Sequence, residues 1–329
     1  MDPVLVEVTR GPAIESLHRG AVAVVDAKGK VVVAVGDIDR AIFPRSAVKV
    51  LQALPLVESG AAERLGFSTA ELALACSSHA GEPIHVATAA GMLQKAGRDA
   101  TALECGAHWP SRERVMRAMV AAGQEPTALH NNCSGKHAGF VCTACVLGED
   151  HRGYIGPEHP TMRRVIAALS EASGCVLDAR NRGTDGCSIP TFAIPLRALA
   201  QAFAKLATGE GFDPTRAAAA RVLRAAVAAN PMMVGGTESF DTQVMTALGE
   251  AVFCKGGAEG VMCIALPTLG LGIAMKCDDG AHRAVEIAAG ALLARLLPEH
   301  AALVPFARRE LRNWNGMLVG EVRPAAALA

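Results

Sequence analysis

Aromatic side chains are scarce in this chain. Its 329 residues include one tyrosine, Tyr154, and two tryptophans, Trp109 and Trp314. That leaves little for the stacking platforms that hold single-stranded nucleic acids. Charge of one sign is missing too. Lysine and arginine together number 32, and so do aspartate and glutamate, so the formal net charge is zero. There is no basic tract to neutralise phosphates and no acidic tail. Nucleic acids and membrane surfaces therefore gain nothing as partners. The most apolar stretch, residues 260–275, is interrupted by glycine and proline and falls short of a spanning helix. The opening residues MDPVLVEVTRGPAIES lack a basic region followed by an apolar run, so no signal peptide is read there. A cytoplasmic protein is expected. Its ten cysteines should then be reduced thiols, most of them small buried hydrophobes.

What the chain does have is apolar bulk. Just over half its residues, 51%, are hydrophobic, enough to bury a sizeable core. β-Branched runs at 5–9, 20–26 and 31–35 read as strands, and the turn at 27–30 joins the last two in a hairpin. Residues 45–58 turn helical. Ala/Leu helices follow at 69–76, 84–96, 112–122, 136–147, 159–173, 196–206 and 214–229. Strands return at 251–255, 261–265 and 270–276, and a last helix covers 280–297. This order predicts an α/β fold of the α+β kind. The terminal strands form one antiparallel sheet flanked by helices, with a helical lobe beside it. A single domain over 1–329 is expected, its sheet lobe at about 1–60 and 245–329 and its helical lobe at about 61–244.

Three separated elements carry nucleophile chemistry. Ser46-Ala47-Val48-Lys49 is an S-x-x-K element at the start of a helix, and a spacing of three puts both side chains on one face. A serine alcohol attacks poorly until a base takes its proton, and a lysine can be that base when its surroundings favour the neutral amine. Free backbone N–H groups in a first helical turn can also hold an oxyanion. Alone, the pattern is weak, since S-x-x-K arises about once by chance in a chain this long. Ser78, in Cys76-Ser77-Ser78-His79-Ala80-Gly81-Glu82, and Lys255-Gly256-Gly257 at a predicted strand end give it company. Serine β-lactamases and penicillin-binding proteins carry S-x-x-K, then S-D-N, then K-T-G in that order. Here the second and third motifs are looser. Read singly, Ser78 is a turn serine and Lys255 a solvated strand end.

A fourth element runs Asn131-Asn132-Cys133-Ser134-Gly135-Lys136-His137-Ala138-Gly139, with Thr184-Asp185-Gly186-Cys187 later in the chain. A P-loop is excluded, because histidines stand at 130 and 137 where glycine and Ser/Thr are needed. Thiolates suit zinc, but neither Cys133 nor Cys187 has a C-x-x-C partner. Spacing alone therefore favours two buried structural cysteines. His79 and His137 are candidate acid–base groups, although lone histidines are more often just hydrogen-bonded.

Taken together, these residues resemble the rhizobial-type L-asparaginase family, which also contains the thermolabile asparaginases. The resemblance spans nearly the whole chain. It rests on Arg45 to Lys49, Ser78 to Glu82, Asn132 to His137, Asp185-Gly186-Cys187, Pro231 to Gly236, Lys255 to Gly260 and Lys276 to Arg283. Val50 departs from the proline common after the lysine. The resemblance implies a β-lactamase/glutaminase-like fold, homodimers, and hydrolysis of L-asparagine to L-aspartate and ammonia. It implies Ser46–Lys49 and Ser78–Lys255 as two catalytic pairs, and Zn2+ held by Cys133, Lys136 and Cys187. His137 and Asp185 lie beside those ligands and become candidate substrate contacts. Arg45, next to Ser46, is another, followed by His79 and Glu82. Two rivals stand against this reading. One is a glutaminase or other serine amidohydrolase, because one methylene is worth only about 1–3 kcal/mol of discrimination. The other is a non-catalytic protein that binds zinc or an amino acid.

Overall fold

The computed structural model describes residues 1–328. The chain divides into two compact units: Met1–Ala47, Ile194–Thr208 and Ala247–Ala329 form the first, Val48–Ala193 and Gly209–Thr246 the second.

An eight-stranded antiparallel sheet forms the first unit. Its strands are β1 (Val4–Arg10), β2 (Ala13–Asp26), β3 (Val31–Val35), β4 (Phe253–Gly257), β5 (Val261–Leu266), β6 (Leu271–Cys277), β7 (Arg309–Arg312) and β8 (Leu318–Pro324). The order is β7-β8-β1-β2-β6-β5-β4, with β3 also on β2. The expected α+β arrangement, a sheet drawn from both chain ends, is therefore present. All of β5 is buried, as an unbroken apolar run requires when both sheet faces are covered. Helices Leu196–Thr208 and His282–Leu296 pack on this sheet.

The two compact units are bounded differently from the expected lobes. The sheet unit ends at residue 47, not near 60, and it includes the helix Leu196–Thr208. That helix lies against β2, β5 and β6 because Gly272 lets the backbones meet. A Cβ at Gly272 would sit 2.0 Å from the carbonyl oxygen of Ala200. Only backbone could give way there. Gly272→Ala is therefore expected to cost about 1–3 kcal/mol, seen as a lower urea midpoint with an unchanged slope. At the other boundary, helix Leu54–Glu58 packs on helices Pro160–Ser173 and Pro214–Ala229 and so belongs with the helical unit. The helix read at 45–58 is broken into a 3-10 turn, Arg45–Val48, and two short helices, Lys49–Gln52 and Leu54–Glu58. Pro55 sits in the first turn of the last of these, where its missing N–H is no loss but cannot extend the helix before it.

Helices make up most of the second unit. Ser68 and Glu71 form a reciprocal capping box that starts helix Thr69–Ala75. That helix ends just before Ser77 and Ser78. It is crossed closely by helix Ser134–Val146, since a Cβ at Gly135 would lie 2.3 Å from the Leu74 carbonyl oxygen. Among the described residues, no helix is long and apolar enough to cross a membrane.

Candidate active site

The first unit carries Arg45, Ser46 and Lys255. Arg45 has φ +52°, a left-handed conformation that costs a non-glycine residue free energy and tends to persist at functional sites. Lys255 is buried in β4, where its Nζ donates to the Gly256 carbonyl at 2.8 Å. Gly257, two residues on, lets β4 approach the segment that carries Ser46. A Cβ there would meet Pro44 O at 2.5 Å and Ala47 N at 3.1 Å. The glycines after Lys255 thus have a packing reason.

The second unit carries the other predicted residues. Lys49 is 1% exposed. Its Nζ donates to the carbonyls of Ser77 and of Asn132, the latter at 3.3 Å, and lies 2.9 Å from Ser78 Oγ. Two carbonyls can only accept. A protonated Lys49 can donate to Ser78 Oγ and a neutral one can accept from it, so the structure brings Lys49 and Ser78 within hydrogen-bond distance. Ser78 is itself fixed by its N–H to Val234 O at 2.8 Å, and the next residue donates from His79 N to Asn132 O at 3.2 Å.

His79 and Glu82 both bond to protein partners. His79 Nδ1 accepts from Gly81 N at 3.1 Å, so its Nε2–H donates to Ser134 Oγ at 2.8 Å, which donates to Leu129 O at 2.9 Å. Burial, with His85 and Lys49 nearby, holds this ring well below the usual histidine range. Glu82 Oε1 accepts from Thr237 N at 2.9 Å and from Thr237 Oγ1 at 2.6 Å. Burial raises its pKa, but these bonds outweigh it, so the carboxyl stays below its usual range.

Cys133, Lys136 and Cys187 converge, all buried. Lys136 Nζ lies 3.3 Å from Cys187 Sγ. A hydrogen bond from Cys187 pulls the Cys133 thiol well below its ordinary value against the effect of burial, and Lys49 and Lys136 add to the pull. The same bond and burial push Cys187 up. Burial alone would lower Lys136, but Cys187, Cys133 and Asp185 raise it. Cys133 with a lowered pKa, and Cys187 and Lys136 with raised ones, therefore share one buried spot. Two soft sulfurs and one nitrogen are a fitting donor set for zinc once the extra protons leave. Among the described residues no three His, Cys, Asp or Glu side chains are placed to hold a metal, so such a site depends on the Lys136 amine. Ser188, directly after Cys187, has φ +75°.

His137 is fully buried, and burial beside Lys136 and Lys49 keeps it neutral. Its Nδ1 lies 2.6 Å from the Tyr154 hydroxyl. Asp185 is half-buried, with Oδ1 accepting from Gly186 N at 2.6 Å.

Sequence reasoning missed the residues that hold the 131–133 loop. Asn131 Nδ2 donates to Cys105 O at 2.8 Å, while its Oδ1 accepts from Cys133 N at 2.8 Å. His108 Nε2 accepts from Asn132 N at 3.0 Å, and its Nδ1–H donates to Trp109 O at 2.7 Å. The Asn131-Asn132 pair was visible as a turn signal. Nothing local marks 105–108 as its anchor.

Residues 6–324 match the model of a family described as L-asparaginase II. No curated protein shows a significant match to the chain. Among solved structures, Mglu is 15% identical with TM-score 0.43, over 87% of this chain and 67% of that one. Mglu in 4.3 M NaCl is 16% identical with TM-score 0.43, over 86% of this chain and 62% of that one, so the chain spans about two thirds of Mglu. A beta-lactamase from Mycobacterium bovis is 14% identical with TM-score 0.41, over 84% of this chain and 94% of that one.

Proposed function

Because the chain belongs to the L-asparaginase II family, we propose that it hydrolyses the side-chain amide of L-asparagine to L-aspartate and ammonia. The observation that carries this reading is the buried Lys49 amine, 2.9 Å from Ser78 Oγ and steadied by two carbonyls. A lysine held this way is built to exchange a proton with a serine. The reaction is acyl transfer. Ser46 Oγ attacks the amide carbon as Lys49, three residues on, takes its proton. Lys49 passes a proton to Ser78, whose hydroxyl protonates the departing ammonia. Water then hydrolyses the β-aspartyl ester. Lys255 is carried over as the fourth member of this set, and Arg45, Asp185 and His137 as substrate contacts.

Cys133, Lys136 and Cys187 are the residues that would hold zinc. The ion would supply a Lewis-acid position for a substrate oxygen. We also read the protein as a homodimer, as the resemblance implies.

Ammonia release from L-asparagine and L-glutamine, by wild type, Ser46→Ala and Ser78→Ala, tests the proposal. Release from asparagine alone, lost in Ser46→Ala, is the expected result. Near-normal turnover by Ser46→Ala with loss in Ser78→Ala would exchange the two roles. Equal release from glutamine would make the protein a glutaminase. Silence on both amides by folded, zinc-loaded protein would leave the non-catalytic reading.

A further inference from the structure

We propose that Tyr154 is a positioning residue. It locks His137 in the one tautomer that offers a hydrogen bond from Nε2, and the group of the substrate it meets is an acceptor oxygen, not the ammonium. The substrate half of this inference rests on the function just proposed. The tautomer half stands on geometry alone.

The sole tyrosine of the chain is completely buried. Its hydroxyl has two partners among the described residues: Glu104 N at 2.8 Å and His137 Nδ1 at 2.6 Å. A backbone N–H can only donate, so the tyrosine oxygen accepts from Glu104. The single hydroxyl hydrogen must then go to His137 Nδ1, or it would be a buried donor with no acceptor. With Nδ1 accepting, the neutral ring carries its hydrogen on Nε2. That atom is also buried, and it has no partner among the described residues.

The lock is itself well anchored. Glu104 holds Tyr154 through its backbone N–H and holds Gly153 through its side chain, Oε1 accepting from Gly153 N at 2.7 Å. The imidazole is wedged between two rings, edge-on to Tyr154 with centroids 5.4 Å apart and tilted against Phe140 at 5.7 Å. A free tyrosine and histidine would not need this much support. An orphan N–H in such a place is costly, and natural proteins keep few of them. An N–H donor suits a carboxylate or an amide oxygen, whereas an ammonium group has no lone pair to offer it. L-Asparagine carries both kinds of oxygen, and either would satisfy the orphan.

Two measurements test this. In the first, 15N-histidine protein is examined by long-range 1H–15N correlation, with His137→Gln identifying the His137 signals by difference. The expected spectrum is that of the Nε2–H tautomer. An Nδ1–H tautomer in wild type would overturn the inference whatever the enzyme turns over. The second is a double-mutant cycle on L-asparagine. Tyr154→Phe should raise KM about tenfold with kcat nearly unchanged, because the ring can then carry its hydrogen on either nitrogen. A glutamine at 137 offers its amide N–H without help from Tyr154. Tyr154→Phe should therefore have little further effect on KM in the His137→Gln background. The same penalty in both backgrounds would mean that the tyrosine is merely structural, and the proposal falls. If Tyr154→Phe fails to fold, the wild-type spectrum decides alone. If wild type does not hydrolyse asparagine, the proposed function fails while the tautomer result still stands.

Discussion

Lys49→Met is expected to lower kcat for asparagine by at least about a thousandfold, because the variant loses the group that moves protons to and from serine. Methionine is nearly as long as lysine and apolar, so the buried slot stays filled. What is lost is chemistry and three donors. Lys49 is 1% exposed, so water does not replace it as a base. The Ser77 carbonyl also loses its Lys49 partner, at about 1–3 kcal/mol for a buried acceptor left unpaired, while the Asn132 carbonyl keeps the His79 N–H. A fall in Tm should therefore accompany the loss of turnover. Lys49→Arg separates the two effects. A guanidinium keeps donors and charge but does not give up a proton, so Arg should recover part of the stability and none of the activity. Turnover within tenfold of wild type in Lys49→Met would show that the lysine does not move the proton, and the serine–lysine reading would have to be abandoned.

The same residue shows how far the sequence could be read. Ser46-Ala47-Val48-Lys49 was visible because a spacing of three is a property of one helical turn. The Lys49 to Ser78 contact spans 29 residues and has no local signature. It follows from where helix Thr69–Ala75 ends and from how closely Gly135 lets a second helix cross it. The antiparallel sheet was legible in the β-branched runs at both chain ends. Helix Leu196–Thr208 was visible as a helix but not as a partner of the sheet, since Gly272 looks like any strand glycine until a backbone is seen against it. The hairpin β7–β8 was missed because Arg309-Glu310-Leu311-Arg312 is too polar to read as a strand. Tyr154 entered the sequence reading only as a sign of aromatic scarcity. Its partner Glu104 lies 50 residues away, and the contact uses the backbone N–H, which no side-chain pattern records.

Removing one thiol should separate binding from turnover. Cys133→Ala is expected to weaken zinc affinity at least about a hundredfold, and to raise KM for asparagine more than it lowers kcat. The three donors are already together, with Lys136 Nζ 3.3 Å from Cys187 Sγ, so the pocket needs no large rearrangement to take an ion. What it must do is shed protons. Cys133, held well below its ordinary value by the Cys187 hydrogen bond, gives up its proton most readily of the three. Cys187, pushed up by that bond and by burial, must lose one. Lys136 must lose another, against the pull of Cys187, Cys133 and Asp185. Zinc affinity should therefore rise with pH, about tenfold per pH unit for each proton released. Competition with a chelating dye between about pH 6 and about pH 8, with released protons counted in weak buffer, reads both quantities. Affinity flat across that range would mean that Lys136 and Cys187 keep their protons and the ion binds elsewhere. A collapse of kcat at unchanged KM in Cys133→Ala would instead tie Cys133 to proton transfer through its charged neighbour Lys49, and the substrate-orienting role would be wrong.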